Sequence, residues 1–143
     1  MITDADVRAG ARNAMIADSL DSVLTGGIFS GPGAGERVPP YAQLSARPKR
    51  VQLYIPATSG EVYVDFRRLM VAVWGVGQTA VSSLMKQVAT SLCRHNWQVT
   101  SLPIANCLPE DDGATLVPDP ESREGEDVWK GTVVLEVAAR GVI

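Results

Sequence analysis

The chain has 143 residues and a mass of 15.2 kDa, which is one domain's worth of polypeptide and enough to bury a core without disulfides or metal. Hydrophobic residues make up 45% and charged residues 20%, a globular balance that excludes a disordered chain, and the apolar runs are far shorter than the roughly 20 residues of a membrane helix. The net charge of −3 conceals a split. Residues 110–127 hold eight acidic residues and one basic residue, a segment charge of −7, while the rest of the chain holds twelve basic and eight acidic residues, or +4. A mildly basic body tolerates a polyanion on one face, and the acidic segment avoids one.

Met1 to Asp6 is acidic and lacks the apolar stretch of a secretory signal. Thr3 to Leu24 is predicted as the first helix, with Thr3 or Asp4 as N-cap and Asp4 and Asp6 at the positive end of its dipole. Its expected apolar stripe is Ala9, Ile16, Leu20, Val23 and Leu24, and Gly26-Gly27 stops it. Residues 26–40 read as a Gly- and Pro-rich loop in which Ile28 and Phe29 are apolar islands. Pro39-Pro40 then delivers the chain extended into a short strand, Tyr41–Leu44.

Arg50–Pro56 alternates as a strand, Ala57–Gly60 has turn chemistry, and Glu61–Trp74 is the return strand. The run Leu69-Met70-Val71-Ala72-Val73-Trp74 is apolar on both faces, which places that strand centrally. Gly75-Val76-Gly77 breaks it. Gln78–Arg94 is the clearest helix, with Val81, Leu84, Met85, Val88 and Leu92 on one stripe. Trp97–Ile104 is predicted as a third strand. Pro109, Pro118 and Pro120 keep the acidic loop at 110–127 irregular, and Asp127–Ala139 is the last strand. The expected fold class is α+β: a mainly antiparallel sheet of about four to five strands with two helices on one face, one domain over residues 1–143.

Each motif that points to chemistry lacks a necessary part. Gly31-Pro32-Gly33-Ala34-Gly35 has no lysine and no following helix, so it is no P-loop. Gly75-Val76-Gly77-Gln78 lies between strand and helix, where amides bind anions, but position 80 is Ala and no βαβ unit surrounds it. His95, the only histidine, sits at a helix end where a cation suits the dipole. In Glu110-Asp111-Asp112-Gly113 the carboxylates are adjacent, not alternate as in a calcium loop. Cys93 and Cys107 are 14 positions apart with no CxxC pattern, and read as small buried hydrophobes in a reducing cytoplasm. The expectation is a protein with no catalytic residues, no metal site and no cofactor.

Two features remain. Arg47-Pro48-Lys49-Arg50 faces Arg67-Arg68 across the predicted hairpin, either as a sheet edge blunted by charge or as a surface turned to nucleic acid phosphates. Trp74 and Trp97 bracket the second helix as core residues, whereas Trp129, just after the acidic loop, is the candidate interface anchor.

The order of these features resembles a known family. A first helix of about twenty residues is followed by a Gly-Gly-Ile-Phe break, Pro40-Tyr41 enters an early strand, and a long strand ends Val73-Trp74-Gly75. The amphipathic helix Gln78–Arg94, a variable loop and the late strand Val128–Ala139 complete the pattern. Over nearly the whole chain this is similar to the tail terminator (tail completion) proteins of long-tailed bacteriophages and gene transfer agents. That resemblance implies a structural subunit of a hexameric ring, assembled in the host cytoplasm and resident in the virion at the tail–neck junction. Its partners would be further copies of itself, the tail tube protein and the head–tail connector or neck proteins, with genomic DNA passing through the ring. Arg47, Lys49, Arg50, Arg67 and Arg68 are then the candidate DNA-channel or subunit contacts. The alternatives are another neck ring, such as a head-closure protein, or a small-ligand or nucleotide-binding protein using the Gly75–Gln78 turn.

Overall fold

The computed structural model describes residues 2–31, 37–54, 62–94, 96–110, 114–121 and 125–142. The predicted turn Ala57–Gly60, most of the glycine-rich stretch after Gly31, and His95 lie outside these.

Helix α1 spans Asp4–Ala17. Its start is the predicted one, with a reciprocal capping box: the Asp6 amide donates to Thr3 Oγ1 at 3.2 Å and the Thr3 amide to the Asp6 carboxylate at 2.8 Å. Its end is earlier than expected. Ser19 takes the left-handed conformation at φ 63°, and a separate 3-10 turn follows at Leu20–Ser22. The buried face is Val7, Gly10, Ala11 and Met15, while Ala9 and Val23 of the predicted stripe are exposed.

The main sheet runs β1 (Ile28–Ser30), β2 (Tyr41–Tyr54), β3 (Val62–Val76), β8 (Val128–Val142), with β6 (Asn106–Pro109) and β7 (Thr115–Pro118) both flanking the far side of β8. All pairings are antiparallel except the parallel pair of β1 with β2. The fold class is α+β, with six strands in the main sheet where four to five were expected. As its two-sided apolar run predicts, β3 is central. Leu69, Val71 and Val73 face the helices beside their cross-strand partners Leu135, Val133 and Gly131 on β8, and Ala46, Leu44 and Ala42 on β2.

Three expectations change. The strands predicted at Tyr41–Leu44 and Arg50–Pro56 are, as far as Tyr54, where the described residues end, one 14-residue strand, because a register shift between Pro48 and Arg50 carries the ladder past a residue with no N–H. The straight strand predicted at Trp97–Ile104 is instead a tight hairpin, β4 (Gln98–Val99) and β5 (Leu102–Pro103), turned by Thr100 and Ser101 at φ 49° and 71°. Ile28 and Phe29 belong to β1, and the acidic segment contains β7, so neither stretch is wholly loop.

Helix α2 spans Gln78–Leu92 and buries Val81, Leu84, Val88 and Leu92, the predicted stripe, with Met85 lying on Gly131 where a Cβ would collide with its sulfur. Gly10 does the same for α1, whose backbone approaches the Gln98 carbonyl too closely for a side chain. At their C-terminal ends the two helices are tied: Ser91 Oγ donates to Asp18 at 2.6 Å and Arg94 donates to it at 3.2 Å. Both helices thus cover one face of the sheet, as expected, and leave the other face open.

Candidate assembly surface

Strand alternation decides which charged residues reach the open face. On β3 the residues 69, 71 and 73 point to the helices, so Arg68 points away from them. Its cross-strand neighbours are Arg47 on β2 and Glu136 on β8. Lys49, in the bulge, pairs with Glu110 at 3.0 Å and also with Glu136. Arg68 pairs with Glu110 at 3.0 Å, and Arg50 lies 3.9 Å from Glu136 with its guanidinium 4.3 Å from the centre of the Phe66 ring. Four of the candidate cations, Arg47, Lys49, Arg50 and Arg68, therefore form one cluster interleaved with two carboxylates. Arg47 is exposed and has no carboxylate partner among the described residues.

Glu110 and Glu136 are the residues that sequence reasoning missed in this cluster. The register would have given Glu136, which lies directly across from Arg68. Glu110 arrives only because β6 folds back beside β8, where its amide donates to Val134 O at 2.9 Å. The hydrogen bond from Lys49, followed by the nearby charges of Lys49 and Arg68, holds the Glu110 carboxyl below the usual carboxylate range. Hydrogen bonds to Glu136 and Glu110 raise Lys49 in turn. A depressed carboxyl stabilises the fold above its unfolded-state pKa and loses that contribution as pH falls through its folded value. Lys49→Gln is expected to move the Glu110 titration midpoint up towards the ordinary range, read from its side-chain carbonyl shift by NMR; an unmoved midpoint would show that the pair does not form in solution.

Arg67 is not in this cluster. It points to the helix side with only 11% of its side chain exposed, gripping Asp65 through two contacts of 2.9 Å, pairing with Asp4, and donating to the Ile2 carbonyl at 2.8 Å. Asp65 is itself 1% exposed. With the Ile2 amide donating to the Tyr63 hydroxyl at 3.1 Å, this places Arg67 in the anchorage of the start of α1 rather than on a surface.

Trp129 lies at the other end of the sheet, half-buried, across from Gly75 and Pro118, with its indole N–H donating to Asp127 at 2.8 Å. Around that end are the exposed side chains of Val76 and Val117, and the carboxylates of Asp119 and Glu121. The nearby cations are occupied by rings: Arg37 stacks 3.8 Å from the centre of Phe29, and Lys130 lies 5.1 Å from that of Trp74, which in turn stacks on Tyr41.

The Gly75–Gln78 turn is built for packing. A Cβ on Gly75 would press on Val81, and Gly77, at φ 90°, donates its amide to Asp127 O at 2.8 Å. Cys107 is buried and Cys93 half-buried; both are free thiols, each pushed up in pKa chiefly by burial. Among the described residues no group of three or more His, Cys, Asp or Glu is placed to hold a metal, and no helix is long and apolar enough to cross a membrane.

No family model matches the chain, and no curated protein does. Among solved structures it superposes on a chain described as "Virion of native gene transfer agent (GTA) particle", with a TM-score of 0.63 and 16% sequence identity, covering 94% of each chain. The two chains share a fold. The superposition runs over nearly the whole of both chains. At 16% identity the likeness is one of architecture, and it carries no residue-level role.

Proposed function

We propose that this chain is a structural virion assembly protein: a ring-forming tail terminator that caps the tail tube, joins it to the head or neck, and leaves a channel through which DNA passes. The observation that carries the reading is the end-to-end fold likeness to a chain of a gene transfer agent particle, which agrees with the order of elements read from the sequence. A fold hosts many functions, so the surface must support the reading too. It does so in that one sheet face is free of helices among the described residues and carries a dense charged network.

In this role the chemistry is that of association. A subunit with two different sticky surfaces assembles head to tail and closes when the rotation per subunit divides the circle. For six copies of a 15.2 kDa chain the expected native mass is about 91 kDa. Light scattering at rising concentration, alone and with purified tail tube, checks this, with electron micrographs of tube ends. A species that stays monomeric throughout and never binds tube ends would end the proposal. Capture by portal rings in place of tube would move the protein to the head-closure position.

A further inference from the structure

The two ends of the sheet are biased to opposite charge, with Arg47, Lys49, Arg50 and Arg68 against Glu110 and Glu136 at one and Asp119, Glu121 and Asp127 against Arg37 and Lys130 at the other, and cannot satisfy one another within one chain. The basic cluster centres on Arg68, and the acidic end lies where β3 finishes at Val76. Eight residues of extended strand separate them, or about 26 Å at roughly 3.3 Å per residue. That is well beyond the screening length of about 8 Å at physiological salt. Each end also has features of an unfinished contact. At the basic end, Arg47 stands directly across from Arg68, a like-charge pairing that is unfavourable on a sheet. The outer edge of β2 pairs with β1 only as far as Leu44, and no strand pairs with it beyond that point among the described residues. At the acidic end, Val76 and Val117 are 63% and 46% exposed on the open face, with the carboxylates of Asp119, Glu121 and Asp127 at the same end of the sheet, while Trp129, in phase with Gly131 and Val133, is half-buried on the helix side.

We infer that the acidic end of one copy of this chain docks on the basic β2 edge of the next, with Asp119, Glu121 and Asp127 meeting Arg47 and Arg50 and with the exposed Val76 and Val117 as the apolar contact. The contact is made by side chains. Pro48 and the bulge beside it block strand addition, which is how natural sheet edges resist uncontrolled pairing. A second copy of the chain carries the complementary charge in Asp119, Glu121 and Asp127, and Arg47, which has no carboxylate partner among the described residues, is the cation at this edge left for them to meet. The inference rests on the ring reading for its head-to-tail geometry: each contact leaves one acidic end and one basic edge free, so the assembly propagates until it closes.

Two full-length variants test it, one carrying Arg47→Glu and Arg50→Glu, the other Asp119→Lys, Glu121→Lys and Asp127→Lys. Thermal melts confirm that each is folded; should either melt early, the neutral Arg47→Gln with Arg50→Gln and Asp119→Asn with Glu121→Gln replace them. Sedimentation of the wild type is expected to show a ring that weakens with added salt. Each variant alone is expected to self-associate at least about tenfold more weakly. An equimolar mixture of the two charge-reversed variants should recover the ring, since in an alternating ring one junction is native and the other is reversed on both sides, so both pair opposite charges. A wild-type ring that survives both reversals would overturn this interface and leave the ring reading standing. A wild type that never self-associates would overturn both. A dimer as the largest species would overturn the head-to-tail arrangement. Loss of affinity for a double-stranded DNA fragment in the arginine variant, with its self-association intact, would assign the basic edge to nucleic acid.

Discussion

Arg67→Glu is expected to cost on the order of 3–5 kcal/mol of folding stability, while Arg68→Glu, one residue on, costs less than about 1 kcal/mol. The first change removes the cation that compensates Asp65, a carboxylate 1% exposed, and places a third carboxylate beside Asp65 and Asp4. It also takes the donor from the Ile2 carbonyl, so the anchorage of α1 to β3 is lost with it. The second change alters a side chain that is 48% exposed, where water and salt screen the new repulsion from Glu110 and Glu136. Arg67→Lys should fall between the two, because a single ammonium cannot reproduce the two-point grip on Asp65. Adding Asp65→Asn to an Arg67→Met background should recover part of the loss by removing the stranded charge. Denaturant titration with unchanged slopes reads these differences directly. A cost below about 1 kcal/mol for Arg67→Glu would mean that Asp65 is hydrated in solution and the buried ion pair is not as described.

The Arg67–Arg68 pair shows what the sequence made legible and what it did not. Both arginines are equally visible as charge, and read together they form one basic patch with the residues of β2. Their separation was available from alternation alone. Arg67 is in phase with Leu69, Val71 and Val73, and Asp65 precedes it by two, so an Asp-x-Arg pair on the core face could have been found from the apolar run that follows. The central position of β3 and the stripe of α2 were legible because long periodic segments average over local noise. The short strands β1, β6 and β7 were not. Each is three or four residues long, and each exists because β2 or β8 offers an edge to it, a tertiary fact with no local signature. The Thr100-Ser101 turn was hidden for a related reason: both residues adopt positive φ without the Asn-Gly chemistry that usually announces such a turn. Of the basic cluster, the β2 and β3 cations were legible from the hairpin, while Glu110 depended on β6.

Met15→Ala is expected to cost about 2–5 kcal/mol, the usual range for emptying a fully buried methionine site, whereas Ala9→Gln should lie within about 0.5 kcal/mol of wild type. The contrast measures the phase of α1, which the sequence put on the wrong stripe. Reading one helix from Thr3 to Leu24 drew a line from Ala9 and Ile16 through Leu20, Val23 and Leu24. The backbone breaks at Ser19, so Leu20 and Leu24 are buried by a separate turn and carry no information about the face of the helix before it. Once the helix is cut at Ala17, Val7, Ala11 and Met15 remain at spacings of four, with Gly10 beside them to admit the Gln98 carbonyl, and that set is the buried one. Ile16 packs at the margin of the core and should give an intermediate loss. Equal costs for Met15→Ala and Ala9→Gln, measured by urea unfolding at matched slopes, would place the helix in the other phase. The same result would undo the anchorage through Arg67, because rotating α1 by one residue carries Asp4 away from that guanidinium.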